Sequence, residues 1–150
     1  MKDDPWIIKE VLPLDTRLVF DAMSQLRTDF DSVEDFVQQV DEVQRPNGYR
    51  LVAVLPTNGD PAFAVAGFRL GTSLSWGKYL YIEDLSTALA FRNNGFASRL
   101  LEWIYDEAKR LNCKQIHLDS GVGPSRSTAH RLYLNSRYLI NAFHFVRDVL

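Results

Sequence analysis

The sequence predicts an α/β protein of the α+β type: a mixed, mostly antiparallel central sheet with helices on both faces. Three observations carry this expectation. The apolar runs 49–55, 62–76 and 78–86 are separated only by turn residues, "PTNGDP" and Gly77 among them, as in an antiparallel meander. Beyond the meander the apolar period becomes helical over 97–111, and a strand-like run returns at 114–120. A strand, loop, helix and strand of that length favours a right-handed crossover between parallel neighbours, so one junction of the sheet is parallel.

The elements follow in order. "WIIKEVL" (6–12) is rich in β-branched residues and reads as a strand ended by Pro13. Residues 15–27 place Leu18, Val19, Ala22, Met23 and Leu26 at helical spacing, with Asp15 as the expected N-cap. Residues 31–44 repeat the pattern with Val33, Phe36, Val37, Val40 and Val43, and Ser32 with Asp35 resembles a capping box. "RPNG" (45–48) is a turn. In the middle run of the meander, Gly67 and Gly71 predict a bend or bulge. Leu100, Leu101, Ile104, Tyr105, Ala108 and Leu111 form one apolar stripe along the helix over 97–111, and Asn112 suits its C-terminal end. A loop "GVGPSRS" leads to a short helix at 128–136, and "YLINAFHFVRDVL" (138–150) reads as a last strand. The order is β-α-α-β-β-β-α-β-α-β, within one domain over 1–150. Ligands of such sheets bind near the carboxyl ends of diverging strands, here the junction of the fourth and fifth.

Composition narrows the function classes. With 46% apolar residues and no low-complexity run, the chain has the makings of a packed core. No apolar stretch approaches the ~20 residues of a membrane span, and two aspartates before the first apolar run are the wrong order for a secretory signal. The single cysteine, Cys113, excludes an internal disulfide and suits a reducing cytoplasm. At a helix end it reads as a small apolar residue rather than a nucleophile. Charge is uneven: residues 1–45 hold 11 acids and 5 bases, residues 86–150 hold 5 acids and 9 bases. That balance is too mild for nucleic acid, but it suits an anionic cofactor on the later half and a cationic substrate on the earlier one. His117 and Asp119 share one strand face while His130 and His144 lie elsewhere, so no metal-ligand spacing emerges. "HLDSGVGPS" lacks the G-x-S-x-G elbow of a serine hydrolase.

The loop "AFRNNGFA" (90–97) stands between a strand end and a helix N-terminus. The first N–H groups of a helix lack intrahelical partners, and the helix dipole adds partial positive charge. Asn93, Asn94 and Gly95 tolerate the backbone angles that aim several N–H groups into one concavity, and Arg92 and Arg99 add full charge. The loop therefore suits a phosphate group. An ordinary strand-to-helix turn, with Gly95 present only for geometry, fits it equally well.

Arg92-x-x-Gly95-x-Ala97, set within "YIEDL…RNNGFASRLLEW…LNCKQIHLDS…AHRLYLNSRY", resembles the signature of the GCN5-related N-acetyltransferase (GNAT) superfamily. The likeness runs from about residue 78 to the end, with the family's element order before it. It implies an acetyl-CoA-dependent transfer to a primary amine by direct attack in a ternary complex. It further implies that the backbone of Arg92, Asn93, Asn94, Gly95, Phe96, Ala97 and Ser98 holds the pyrophosphate of the coenzyme. Leu85, Ser86 and Thr87 would line its pantetheine arm, with an N–H at Leu85 polarising the thioester carbonyl. Arg126 is a further coenzyme contact, although the family often has asparagine there. Leu89 replaces a common proline, and Arg137-Tyr138 a common Gly-Phe. Only about a dozen residues follow the last helix, so the usual closing strands must be shortened or completed by another subunit. A sheet edge left open in this way predicts a homodimer.

Acetyl transfer to an amine needs a proton acceptor, a polarised carbonyl and a proton donor for the leaving thiolate. By the same resemblance Glu83 is the base, with Asp84 as its rival, and Tyr133 is the acid. Strand alternation puts Tyr81, Glu83 and Leu85 on one face and Ile82, Asp84 and Ser86 on the other, unless a bulge intervenes. The acidic helices 15–44 flank the acceptor entrance in this fold and favour a cationic small-molecule amine. A protein lysine or N-terminus, or an acyl-CoA-binding regulatory module without turnover, are the alternatives. Phe143 and Phe145 are expected in the core or at a dimer contact.

Overall fold

The computed structural model describes residues 5–150. The strands are β1 (Trp6–Val11), β2 (Arg50–Pro56), β3 (Ala64–Ser73), β4 (Gly77–Thr87) and β5 (Gln115–Leu118). The helices are α1 (Phe20–Ser24), α2 (Val33–Gln38), α3 (Phe96–Arg110) and α4 (Ser127–Asn135). The strands form one sheet in the order β1-β2-β3-β4-β5. The first three junctions are antiparallel and the β4–β5 junction is parallel, as the crossover predicts. The chain separates into two compact units at His117/Leu118.

In the first unit, one sheet face is covered by the helices that precede the meander. Val19, Ala22, Met23, Phe36 and Val40 bury themselves against Leu51, Ala53 and Val65. Alternation sends Val52 and Val54 to the opposite face, where α3 packs on β2, β3 and β4 through Leu100 and Ile104. Trp103 of α3 meets Phe68 of β3 with ring centroids 6.1 Å apart. In the second unit, a loop and a short 3₁₀ turn (Pro124–Arg126) lead into α4, which closes through Ser136, Arg137 and Tyr138 N–H groups onto its last carbonyls.

Local chemistry explains the element ends. Pro13 does more than end β1: it opens a 3₁₀ stretch, Pro13–Val19, whose N-cap is Leu12, so Asp15 lies inside the turn rather than capping it. Regular α-helix begins only at Phe20. Ser32 caps α2 as expected, its Oγ accepting from the Asp35 N–H at 3.1 Å. That helix widens into a π turn over Gln39–Gln44. The segment is pinned there by Arg45, whose guanidinium donates to Asp41, Thr16 and the Val11 carbonyl. Asn112 takes the left-handed conformation (φ 58°) that stops α3.

One expected element is absent. Residues 138–150 form neither helix nor strand, and Phe143 and Phe145 are 88% and 90% exposed, so neither belongs to the core. The β-prone composition is present, but a strand also needs a paired neighbour, and this segment has no ladder.

Arg50 ties three elements together. Its guanidinium donates to both Glu10 oxygens (2.9 and 2.6 Å), donates to Glu107 Oε2 (2.8 Å), and lies 4.9 Å from the Phe68 ring centroid. Glu107 is buried in α3 and also accepts from Arg110. Arg110 and then Arg50 hold the Glu107 carboxyl below its ordinary value of 4.5, against the opposing effect of burial. Replacing Arg50 with methionine leaves Glu107 Oε2 without its donor and releases Glu10, and is expected to cost roughly 1–3 kcal/mol, read as a lower urea midpoint at unchanged slope. Because the folded-state value is depressed, the Glu107 contribution is present above about pH 4.5 and is lost as pH falls through the lowered value. Glu107→Gln should therefore flatten that acid limb of the stability curve.

Candidate active site

The carboxyl end of β4 is shaped by one extra residue. Along β3 and β4, Gly67 opposes Asp84 but Phe68 opposes Ile82, so Glu83 has no partner of its own. This is a β-bulge, and it breaks the alternation. Ile82 stays with Phe68 beneath α3, whereas Glu83 and Asp84 both turn to the face of α1 and α2. The simple alternation that separates the two carboxylates is thus overturned, and they share one hydrogen-bonded cluster.

The cluster has two arms. Glu83 Oε1 accepts from Arg69 Nε at 2.6 Å; the same guanidinium donates to the Asn47 carbonyl and to Gln44 Oε1. Asp84 accepts from Arg27 Nε at 2.7 Å on one oxygen and from the Tyr49 hydroxyl at 2.5 Å on the other. Arg27 also donates to the Glu83 carbonyl (3.1 Å). Burial, then the Asp84 charge, raises the Tyr49 phenol well above its usual 10, so it stays a donor. Asp84 has both oxygens engaged and a side chain 12% exposed, while Glu83 is 34% exposed. Among the described residues, Glu83 Oε2 has no hydrogen-bond partner.

Tyr49, Arg27 and Arg69 escaped the sequence reading. They come from three separate elements, and no spacing links them. Gly67 gave the one available signal. A Cβ placed there would lie 1.7 Å from the Tyr49 hydroxyl, so this glycine is required by an aromatic ring lying across the strand.

β4 continues into the loop. Ser86 sends its hydroxyl to the Ala22 carbonyl at 2.6 Å, while Leu85 and Thr87 pair with Ala66 and Ala64 of β3. β5 has only four residues and enters beside Lys78, where Lys114 N–H donates to the Lys78 carbonyl (2.7 Å). With four residues against the eleven of β4, it is too short to run the full length of that strand.

The loop itself is held from within. Phe91 stacks on Phe63 at 4.1 Å, and the Asn94 amide donates to the carbonyls of Phe91 and Arg92 at 2.9 and 3.0 Å. Arg92 Nε reaches the Thr87 carbonyl (3.4 Å). Asn93 (φ 63°) and Gly95 (φ 78°) both take left-handed angles, and a Cβ on Gly95 would meet only open space. The first bond of α3 runs from Arg99 N–H to the Gly95 carbonyl, so the preceding N–H groups, those of Phe96, Ala97 and Ser98, have no intrahelical partner. The Phe96 side chain is buried edge-on against Trp6 and anchors this turn, leaving its backbone for other partners. These features fit a phosphate-bearing group, by the donor set and by the open space at Gly95.

Tyr133 and Arg126 belong to the second unit, on α4 and in the turn before it. Burial raises the Tyr133 phenol above 10, with Arg126 opposing, so it carries its proton at neutral pH. No group of three or more metal-ligating side chains occurs among the described residues, and no helix among them is long and apolar enough to cross a membrane.

The cluster makes a stability prediction. Gly67→Ala should cost roughly 1–3 kcal/mol by displacing Tyr49 from Asp84. The same change in a Tyr49→Ala background should cost much less, a coupling that a double-mutant cycle of urea midpoints measures.

Comparison with known proteins agrees with this geometry. A family model described as "Acetyltransferase (GNAT) family" matches residues 17–136. The Bacillus subtilis (strain 168) protein described as uncharacterized N-acetyltransferase YhdJ is 29% identical over 131 residues, 87% of this chain and 89% of its own. Glucosamine-6-phosphate N-acetyltransferase from Arabidopsis thaliana superposes with a TM-score of 0.76 at 17% identity, covering 97% of this chain and 99% of that one. Aminoglycoside N-acetyltransferase AAC(6')-Iy, solved in complex with CoA, gives 0.78 at 11% identity over 97% and 96%. With the family model spanning both the bulged strand and the loop, the chain belongs to the GNAT family and is an acyltransferase.

Proposed function

We propose that the protein transfers the acetyl group of acetyl-CoA to a primary amine, by direct attack within a ternary complex. The observation that carries this reading is the Glu83 carboxylate on the bulge of β4, with Oε1 fixed by Arg69 and Oε2 unengaged, one short stretch of chain before the loop. GNAT acetyltransferases use acetyl-CoA, and AAC(6')-Iy was solved with CoA. In this reading acetyl-CoA supplies the acetyl group. The backbone of residues 92–98 binds its pyrophosphate, Arg92 adds charge, and Leu85 to Thr87 line its arm. Arg126 is a further contact.

Each remaining role follows from the proton inventory. An ammonium must lose a proton before it attacks, and Glu83 Oε2 takes it, directly or through water. Asp84 is a poorer acceptor because Arg27 and Tyr49 already occupy both oxygens; its role is to hold the bulge. The leaving thiolate needs a proton, and the protonated Tyr133 phenol supplies it. The acceptor is read as a cationic small-molecule amine, on the 11 acids of the first 45 residues. Arg27 and Arg69 neutralise the two carboxylates of the site itself, so that preference comes from the surrounding helices and not from Glu83 and Asp84. A lysine side chain meets the same chemical requirement. The single Cys113, its thiol raised by burial, suits a reducing cytoplasm.

The test is acetyl-dependent thiol release across an amine panel that includes polyamines, aminoglycosides, amino sugars and a lysine peptide. Glu83→Gln and Tyr133→Phe should each lower kcat/KM by roughly 10²–10³. Asp84→Asn should lower the melting temperature more than the rate. Unchanged turnover in both Glu83→Gln and Tyr133→Phe overturns the assignment of roles. Coenzyme A should raise the melting temperature of the wild type, and Gly95→Val should remove that shift. A shift retained in Gly95→Val removes the loop from the coenzyme site.

A further inference from the structure

The two arginines of the carboxylate cluster are used differently. Arg69 commits every nitrogen: Nε to Glu83, Nη1 to the Asn47 carbonyl and Nη2 to Gln44. Arg27 commits one edge only, Nε to Asp84 Oδ1 and Nη2 to the Glu83 carbonyl. Its Nη1 has no hydrogen-bond partner among the described residues. A guanidinium is a rigid fork of five N–H donors, so an arginine held by its Nε edge still presents a second edge, Nη1 with the outer hydrogen of Nη2. Exposure follows the same division: the Arg27 side chain is 51% exposed and that of Arg69 25%. Asp29 and Asp31 lie in the same segment between α1 and α2, yet among the described residues neither pairs with that second edge.

The open edge is held at the bulge. Both bonds of Arg27 end there, one on the Asp84 carboxylate and one on the Glu83 backbone. Its direction is therefore set from β4, just as Arg69 sets that of the Glu83 side chain. Two unengaged groups of opposite charge are thus tied to one short stretch of strand: Glu83 Oε2 and the outer edge of Arg27. A carboxylate receives an ammonium, and a guanidinium edge receives an oxyanion, best one that offers two oxygens side by side. An arginine whose task is only structural is used on every side, as Arg50 is between Glu10, Glu107 and the Phe68 ring. Arg27 is not.

We infer that Arg27 is a specificity residue: its outer edge binds an anionic group, a carboxylate or a phosphate, that the acceptor carries on the same molecule as the amine deprotonated by Glu83. The inference rests on the acceptor site proposed above and narrows its substrates to amines that bear an oxyanion. It agrees with the acidic first third of the chain, since a basic amino acid is cationic overall and still carries a carboxylate. The long-range field of those 11 acids disfavours an anion, so a preference for one requires a local cation. Within the cluster Arg69 is saturated, which leaves Arg27.

Matched acceptors decide it, titrated calorimetrically into the full chain saturated with coenzyme A. Lysine is compared with lysinamide, and O-phosphoethanolamine with ethanolamine, so that the anion is the main difference within each pair. The anionic member should bind at least ~10-fold more tightly in one pair or in both, and the pair that responds identifies carboxylate or phosphate. Arg27→Gln should abolish that ratio, and Arg27→Lys, which keeps the charge but not the fork, should retain only part of it. Equal or weaker binding of the anionic member in both pairs overturns the proposal. So does a preference that survives intact in a folded Arg27→Gln, or no binding of any of these compounds at about 10 mM. The wild-type comparison needs no variant, so a loss of fold in Arg27→Gln, which also frees Asp84, does not blunt the test. Thiol release from acetyl-CoA with the same acceptors reads the transfer reaction separately. Preference without release removes turnover and keeps the anion site; release without preference does the reverse.

Discussion

One unmatched residue in β4 governs the site. A regular ladder at this point puts Glu83 and Asp84 on opposite faces, one toward α1 and α2 and the other under α3. The bulge instead delivers two carboxylates to one face, within reach of Arg27, Arg69 and Tyr49. Two adjacent negative charges repel, and this pair is tolerable because a guanidinium meets each of them. The bulge in turn depends on space. Tyr49 reaches Asp84 only by crossing β3 at Gly67, where any side chain would collide with its hydroxyl. The geometry of the two carboxylates and the identity of a glycine on the neighbouring strand are therefore one constraint.

The division of labour between the two carboxylates follows. Asp84 is nearly buried and saturated with donors, which makes it a good structural anchor and a poor proton acceptor. Glu83 is more exposed and half engaged, so one oxygen stays available while the other fixes its direction. Arg69 is itself held by the Asn47 carbonyl and Gln44, which come from the end of the π turn after α2 and the turn beyond it. That link explains why an irregular segment is kept at 39–48: it is pinned on one side by Arg45 and holds Arg69 on the other.

Much of the fold was readable from the chain, because its signals are periodic. The meander, the helical stripe of α3, the parallel crossover and the Ser32 cap all rest on local spacing or turn chemistry, and all are present, except that Tyr105 of the stripe is 53% exposed rather than buried. The misreadings share a different origin. Asp15 sits in a turn whose start is set by Pro13, a local rule of higher rank than capping preference. The segment 138–150 has strand composition, yet strand formation depends on a partner that the sequence of one chain does not display. At the site, the loop could be located from Arg92, Gly95 and Ala97. The arginines and tyrosine around Glu83 could not, since they converge from positions 27, 49 and 69 without common spacing.

The loop's internal hydrogen bonds also bear on how the protein ages. Asn94 precedes Gly95, and an asparagine before glycine is the sequence in which the following amide nitrogen most easily attacks the side-chain carbonyl, releasing ammonia and leaving aspartate or isoaspartate. Here the Asn94 amide is held by the Phe91 and Arg92 carbonyls. Those contacts restrain the rotation that such attack requires. Conversion to a carboxylate would turn two hydrogen bonds into two repulsions and place a negative charge beside the first turn of α3. The bonds that shape the turn thus also slow its chemical decay.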